Sequence, residues 1–517
     1  MPRKNSAPVT EALASIQLGP WHGGLRKDLP VEEVGVQELF RSTNIRVGSA
    51  GEIEPRRGTD EYQDAAAISS TPTETMLAEF DVTSTTTVVV KVVGTAIYKY
   101  ASGWSAITGS VTVTAGDDNT FEWVNANGVL VATNGVDTNA WKWTGASNAT
   151  DLDDDSRFSK GKHIAWWDNR LWIGNVDGAT GQLWRSDTAD IETWGATSFY
   201  NFGGIVLGIV PAQNVLIVHT SIGMFSLAPT GSATEPYHPD KLTDDAGVDG
   251  RSCVTIPGDL QLMIQAEGIY EWSGGSQLRK ISDALDKGYW PYLNSSRFVQ
   301  SFALRVPLLG EVWFFLPYGT GQTNMNHIMV YNYRQRTIVH GQDVGIWYGP
   351  YTGWERNTAA LIDGKVHAGD FDGKTWDHDD ETIADNLTTV FNPRAETGAP
   401  APLGDDVQVA WVNVRHYYDA QTSDASIAVE QKSEGAVGEL QILSLKSDGF
   451  TLDEDLLDSG VQLASEGLLS QDTPLLGFAP QTSIQLTQST ASTTFAHRKM
   501  ILHYENLGTP TKPQPNE

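Results

Sequence analysis

The chain has 517 residues, with 35 Lys and Arg against 64 Asp and Glu, and a formal net charge of −29. That balance leaves no basic excess to displace counterions from nucleic-acid phosphates, so a protein that grips DNA or RNA by its backbone is excluded. A lone cysteine, Cys253, excludes an intrachain disulfide framework, and no run of about 18 apolar residues offers a transmembrane helix.

The start, Met1-Pro2-Arg3-Lys4, is basic, but Glu11 interrupts the next apolar stretch, so it reads as a flexible arm and not a signal peptide. Residues 19–30 mix Gly, Pro and charge around Trp21. A helix-compatible piece runs from Pro30 to Arg41, and 63–75 is an Ala-, Ser- and Thr-rich linker. Residues 1–75 are therefore expected to form an N-terminal arm and linker.

From 76 to 390 the pattern becomes repetitive. Short β-branched and aromatic runs alternate with Gly, Asn and Asp turns. Units begin near residues 85, 120, 163, 205, 252 and 311, and a shorter unit at 360–380 closes the series. A spacing of about 40–50 residues is that of β-propeller blades, so an all-β fold with about six blades is expected, the alternative being a sandwich or two barrels. Arg170, Leu171, Trp172, Trp184, Ser186, Asp187 and Trp194 form the recurring packing motif of one such blade. Most of the tryptophans, among them Trp104, Trp141, Trp143, Trp166 and Trp167, sit at strand positions where blades would bury them.

Beyond the ring, 391–510 reads as a separate antiparallel β-sandwich, with a short helix or excursion at 452–470. The Pro-rich end, 511–517, reads as a disordered tail.

Candidates for chemistry are few. Asp151, Asp153, Asp154 and Asp155 form one acidic loop, and Asp244, Asp245 and Asp249 another. Adjacent carboxylates in solvent are poor acid–base pairs and at best weak Ca²⁺ ligands. Asp377, His378, Asp379 and Asp380 alternate along a strand, so His378 faces away from Asp377 and Asp379 and no single ion is served. Cys253, beside Val254 and Ile256, reads as a buried inert thiol. No phosphate loop, dinucleotide fingerprint, zinc-protease or nucleophile-elbow motif is present. No catalytic, cofactor-binding or metal residue is therefore assigned, and no cofactor is expected.

Several segments, taken together and in order, resemble a known family. They are Gly23-Gly24-Leu25, Asn44-Ile45-Arg46, Glu54-Pro55-Arg56-Arg57-Gly58, Leu130 to Gly135, Asn169-Arg170-Leu171-Trp172, Leu183 to Asp187, Ile191 to Trp194, Glu267 to Gly275 and Arg498 to Tyr504. The family is the β-propeller tail proteins of bacteriophages: the nozzle, or tail tubular, proteins of short-tailed phages, including the packaged-DNA stabilisation type. The resemblance implies a virion structural protein, made in the host cytoplasm and placed in the tail. It would be a homo-oligomer, usually a hexameric ring, below portal and adaptor proteins, extending the channel for genomic DNA without sequence-specific binding or membrane insertion. Trp21, Gly23, Gly24, Arg56 and Arg57 are then expected to contact a neighbouring subunit or the adaptor, and the acidic surface would keep DNA mobile. A host-surface glycan-binding propeller and a polysaccharide hydrolase are the alternatives.

Overall fold

The computed structural model describes residues 13–508, apart from 64–71, 84, 153–155, 213, 246, 381–383, 386–388, 404–406, 420–425, 434–435, 438–439, 445–467, 476–477 and 489–495. The tail at 511–517, most of the excursion expected at 452–470 and most of the linker at 63–75 lie outside the described residues.

Turn chemistry makes the strands. Asn127-Gly128 takes φ of 53° and 77°, and Asp168-Asn169 takes 50° and 53°. Two-residue turns with both φ positive match the twist of paired strands, and these join Glu122–Ala126 to Val129–Thr133 and His163–Trp167 to Arg170–Val176. Six four-stranded antiparallel sheets result: blades 1 to 6, at 74–106, 122–151, 163–201, 206–243, 253–280 and 302–351. Blade 7 contains Thr358–Ile362, Lys365–Gly369 and Thr375–Asp380, and its fourth strand is Gly58–Glu61 from far upstream.

The first strands of successive blades touch one another, and Thr358–Ile362 of blade 7 touches Glu74–Thr83 of blade 1, so the series closes into a ring. The architecture is a β-propeller of seven sheets where unit spacing suggested about six. The unit at 360–380 is a full member because a distant strand completes it. At the closure, Lys91 Nζ lies 3.2 Å from Glu74 Oε2 and donates to Gly373 O and Thr375 Oγ1 at 3.0 Å.

Packing follows the ring. Separate apolar clusters lie between blades 1 and 2, 2 and 3, 3 and 4, and 4 and 5. Second strands touch blades on both sides, so they are not alternating: Glu311–Leu316 (EVWFFL) is buried along its whole length. In blade 3, Leu171, Trp184 and Trp194 join the cluster toward blade 2, while Trp172 joins the one toward blade 4. Neighbouring positions on one strand thus serve two interfaces. Ser186 Oγ accepts from Leu171 N at 2.9 Å, and Arg170 Nη1 donates to Ser186 O at 2.7 Å, tying strand to edge.

Among the described residues two further sheets, each of seven strands, combine segments from the N-terminal and C-terminal parts of the sequence. In one, Ala14–Leu18 pairs with His497–Gly508, which also pairs with Gln408–Asp419 and meets Ile53. In the other, Glu38–Thr43 pairs with Arg394–Thr397, which pairs with Thr482–Gln488. Residues 14–55 are therefore not a separate arm. Their strands belong to the same body as the C-terminal segment, since Ala14–Leu18 and Glu38–Thr43 find antiparallel partners in His497–Gly508 and Arg394–Thr397. Leu39, Ile53, Val414, Leu486 and Leu502 share one buried cluster with blades 5 to 7. The helix allowed at Pro30–Arg41 is limited to one 3-10 turn, Val31–Glu33, before the strand begins at Glu38. Val34, with extended backbone at φ −71° and ψ 129°, ends it, and Glu38 braces the turn that follows by accepting from Gly35 N at 2.8 Å.

Candidate functional site

Two polar constellations stand out: a buried one where the two-sheet body meets the ring, and a partly buried one on the ring axis.

The first centres on Arg56. Its Nε donates to Asn44 Oδ1 at 2.9 Å, Nη1 to Arg57 O at 2.8 Å and Asp385 Oδ1 at 2.9 Å, and Nη2 to Thr352 O at 3.1 Å and Asp385 Oδ2 at 2.6 Å. All five guanidinium donors are used. The planar group lies between the rings of Trp354 and Phe391, each centroid 3.7 Å away. Burial pulls the Arg56 pKa below its ordinary value against the opposing pull of Asp385. Asn44 adopts φ 54°, which lets its Oδ1 also accept from Thr352 N at 2.8 Å.

This seam corrects an expectation. Trp21, Gly23, Gly24 and Arg56 are buried inside the chain and are not surface for a neighbour. Gly24, at φ +68°, leaves no room for a Cβ, which would come 2.7 Å from Trp347 O of blade 6. Gly23 is hemmed in by Gln37 and Glu38. Of the five, Arg57 alone has an exposed side chain.

The second constellation lies where blade first strands begin. Glu122 opens blade 2, Lys162 and His163 open blade 3, and Asp249 and Arg251 precede blade 5. His163 Nδ1 is 2.9 Å from Glu122 Oε1, Ile164 N donates to Glu122 Oε2 at 3.2 Å, and Lys162 Nζ donates to Asp249 Oδ2 at 2.7 Å. Burial would raise the Asp249 pKa, but His163, Lys162 and Arg251 outweigh it and hold the carboxyl below its usual range. Behind them, burial presses His219 down to about 4, so it stays neutral at pH 7.

Two cavities flank this group. One, of about 260 Å³, is walled by residues of blades 2 to 7, including Phe121, Trp123, Ile209, Phe302 and Thr358. The other, of about 200 Å³, is lined by Thr120, Lys162, Asp249 and Arg297 among others. Glu122 and Arg251 belong to the walls of both. The axis is therefore partitioned by side chains.

Glu122, His163 and Asp249 each bring a ligand atom within 4.8 Å of the others, the spacing of a possible cation site. The charges argue otherwise. Lys162 already sits on Asp249, and Arg251 adds a second positive charge beside it, so a divalent ion would displace one cation and face another.

Sequence reasoning missed Glu122, Lys162, His163 and Arg251, and it left Asp249 in a solvated loop with Asp244 and Asp245. Asp244 and Asp245 are exposed, whereas Asp249 turns into the axis. The available signal was positional: in a propeller, polar residues at the start of each unit converge on the axis. Asp151 is exposed, and Asp153 to Asp155 lie outside the described residues. His378 is buried, accepting from Arg356 Nε at 3.0 Å, so it is a packed partner within blade 7. Cys253 is buried on the wall of the larger cavity, where burial pushes its thiol pKa up. Trp141, Trp143, Trp167, Trp172, Trp184 and Trp194 are buried in the core, while Trp104 and Trp166 are half-buried. No helix among the described residues is long and apolar enough to cross a membrane.

No protein-family model matches the chain, and no curated protein matches it. Among solved structures, virginiamycin B lyase from Staphylococcus aureus is similar at 10% identity with a TM-score of 0.38, over 62% of this chain and 97% of the lyase. An exo-β-1,3-galactanase from Phanerochaete chrysosporium is similar at 10% identity with a TM-score of 0.26, over 77% of this chain and 98% of that enzyme. Likeness at this level says nothing of chemistry or partners.

Proposed function

We propose that this chain is a structural protein of a tailed-bacteriophage particle, a wall unit of the tail nozzle that extends the channel for genomic DNA, and not an enzyme. The observation that carries the reading is the seam. The segments bearing the family resemblance at the two ends of the chain, Gly23 to Leu25, Asn44 to Arg46, Glu54 to Gly58 and Arg498 to Tyr504, lie on the interlocked body and its junction with blades 6 and 7. Gly24 abuts Trp347, Asn44 N donates to Pro350 O at 2.9 Å, and Arg56 binds Asp385. Residues far apart in sequence serve one mechanical purpose, which is to fix a ring rigidly to a second body.

The partitioned axis adds a constraint. Cavities of about 260 and 200 Å³ admit no DNA duplex. In this reading DNA does not thread the propeller. The channel is enclosed by several copies standing side by side, with the propellers in its wall and the two-sheet body, as a sandwich, available to neighbours. The net charge of −29 discourages adhesion of phosphates to that wall, within a screening length of about 8 Å in physiological salt. Negative-stain imaging and sedimentation of the purified protein test the reading. A ring with an open lumen is expected; a monomer at high concentration, together with absence from purified particles, overturns it.

A further inference from the structure

Arg251 is only partly matched by its own chain. Its Nη1 donates to Thr120 Oγ1 at 2.5 Å and its Nη2 to Asn357 O at 2.7 Å, two neutral oxygens. Among the described residues no carboxylate lies within ion-pair distance of it; Asp249 and Glu122 act on it only through space. Three of its five N–H donors remain beyond these two bonds. The contrast with Arg56, which uses all five on partners in its own chain, is direct. Arg251 sits deep in the ring yet keeps part of its surface accessible, and it lines both axial cavities.

We propose that the larger axial cavity binds a small organic monocarboxylate, with its carboxylate on Arg251 and its apolar body against Phe121, Trp123 and Phe302. The ring of Phe302 already lies 4.9 Å from the guanidinium carbon, so the cation is fixed in orientation. A planar guanidinium with spare donors matches a carboxylate in two-point geometry. A volume of about 260 Å³ has room for a single small ring or short chain. Glu122 and Asp249 stand close by and oppose each negative charge on a ligand, so a dianion such as phosphate is disfavoured more than a monoanion. The inference does not depend on the nozzle reading.

Titration calorimetry of the full chain with 3-phenylpropionate tests it, with 3-phenylpropanamide as the neutral isostere and inorganic phosphate as the competing oxyanion. Saturable binding of the acid is expected, with the amide weaker by about tenfold or more, the worth of one charge-assisted pair. Arg251→Met should abolish the binding. Should that variant fail to fold, Ala303→Phe fills the same cavity while leaving the charge in place, and it should abolish binding too. Absence of saturable binding, equal binding of acid and amide, wild-type affinity in either folded variant, or phosphate binding in preference to the acid overturns the proposal.

Discussion

The joints between blades and the joint between ring and two-sheet body are both packed with apolar side chains, but the second is also laced with a network of buried polar bonds. Between blades 2, 3 and 4 the contact is apolar, with Leu171, Trp184 and Trp194 on one side and Trp172 on the other, drawn from residues close in sequence. At the seam an apolar cluster shared with blades 5 to 7 is joined by a polar network: Arg56 with Asp385, Asn44 with Thr352, and Arg46 facing Glu311 at 3.7 Å, each pair linking residues hundreds of positions apart. An apolar joint tolerates small shifts, because dispersion and solvent exclusion have little direction. A buried guanidinium does not, because desolvation costs several kcal/mol per ion and is offset by directed bonds such as the five made by Arg56. Apolar packing therefore gives cohesion at both joints, and the polar network adds a single orientation at the seam.

Breaking the seam should cost most. Arg56→Ala leaves Asp385 buried with its main partner gone, and a loss of about 3–5 kcal/mol is expected in denaturant unfolding. Adding Asp385→Asn should recover part of that loss, because the stranded charge is removed. Additive losses in the double variant would show that the two side chains do not act as a unit.

A blade joint should cost somewhat less and act locally. Leu171→Ala opens a cavity between blades 2 and 3, at about 3 kcal/mol. Hydrogen exchange should quicken in blades 2 and 3 and stay unchanged in 14–55 and 394–508. Equal acceleration in the two-sheet body would mean that the joints are not separate.

The same contrast explains what could be read from sequence. Blade strands and hairpins are local, so Asn127-Gly128 and the Trp172 to Trp194 pattern announce themselves. The second strands were harder to read, since burial on both faces removes the alternation that marks a strand. The seventh blade's fourth strand, Gly58–Glu61, carries no local sign of a partner at Trp376. The resemblance pointed Arg56 and its neighbours toward another subunit; only the fold brings Asp385, Trp354 and Phe391 around Arg56. The axial group was invisible for the same reason, since Glu122, His163 and Arg251 meet only when the ring closes.

Acid should discriminate the two-sheet body further. His416 Nδ1 lies 3.1 Å from His497 Nε2, and His416 Nε2 lies 3.0 Å from Thr473 Oγ1, all deep in one sheet. Burial presses His416 from 6.5 to about 3 and holds His497 well below its ordinary value. The folded chain thus refuses protons that the unfolded chain accepts below about pH 6.5. Stability from this pair is intact above that pH and falls as pH drops, by up to about 1.4 kcal/mol per unit for each histidine. His416→Asn should flatten the slope of unfolding free energy between pH 6 and 4 by about that amount per unit. An unchanged slope would assign the acid response to the ring, where His219 and His378 are also held neutral.

The smallest effect should come from an ion pair that spans two blades without being buried. Lys142 of blade 2 bonds Glu192 beside blade 3, with 25% and 30% of the side chains exposed. The chemistry is that of Arg56 and Asp385, but water solvates both partners, so little is lost when one is removed. Lys142→Gln is expected to cost about 0.5 kcal/mol and to lose even that in high salt. A cost near that of Arg56→Ala would mean that charge pairing, and not the dryness of the seam, sets the strength of the joint.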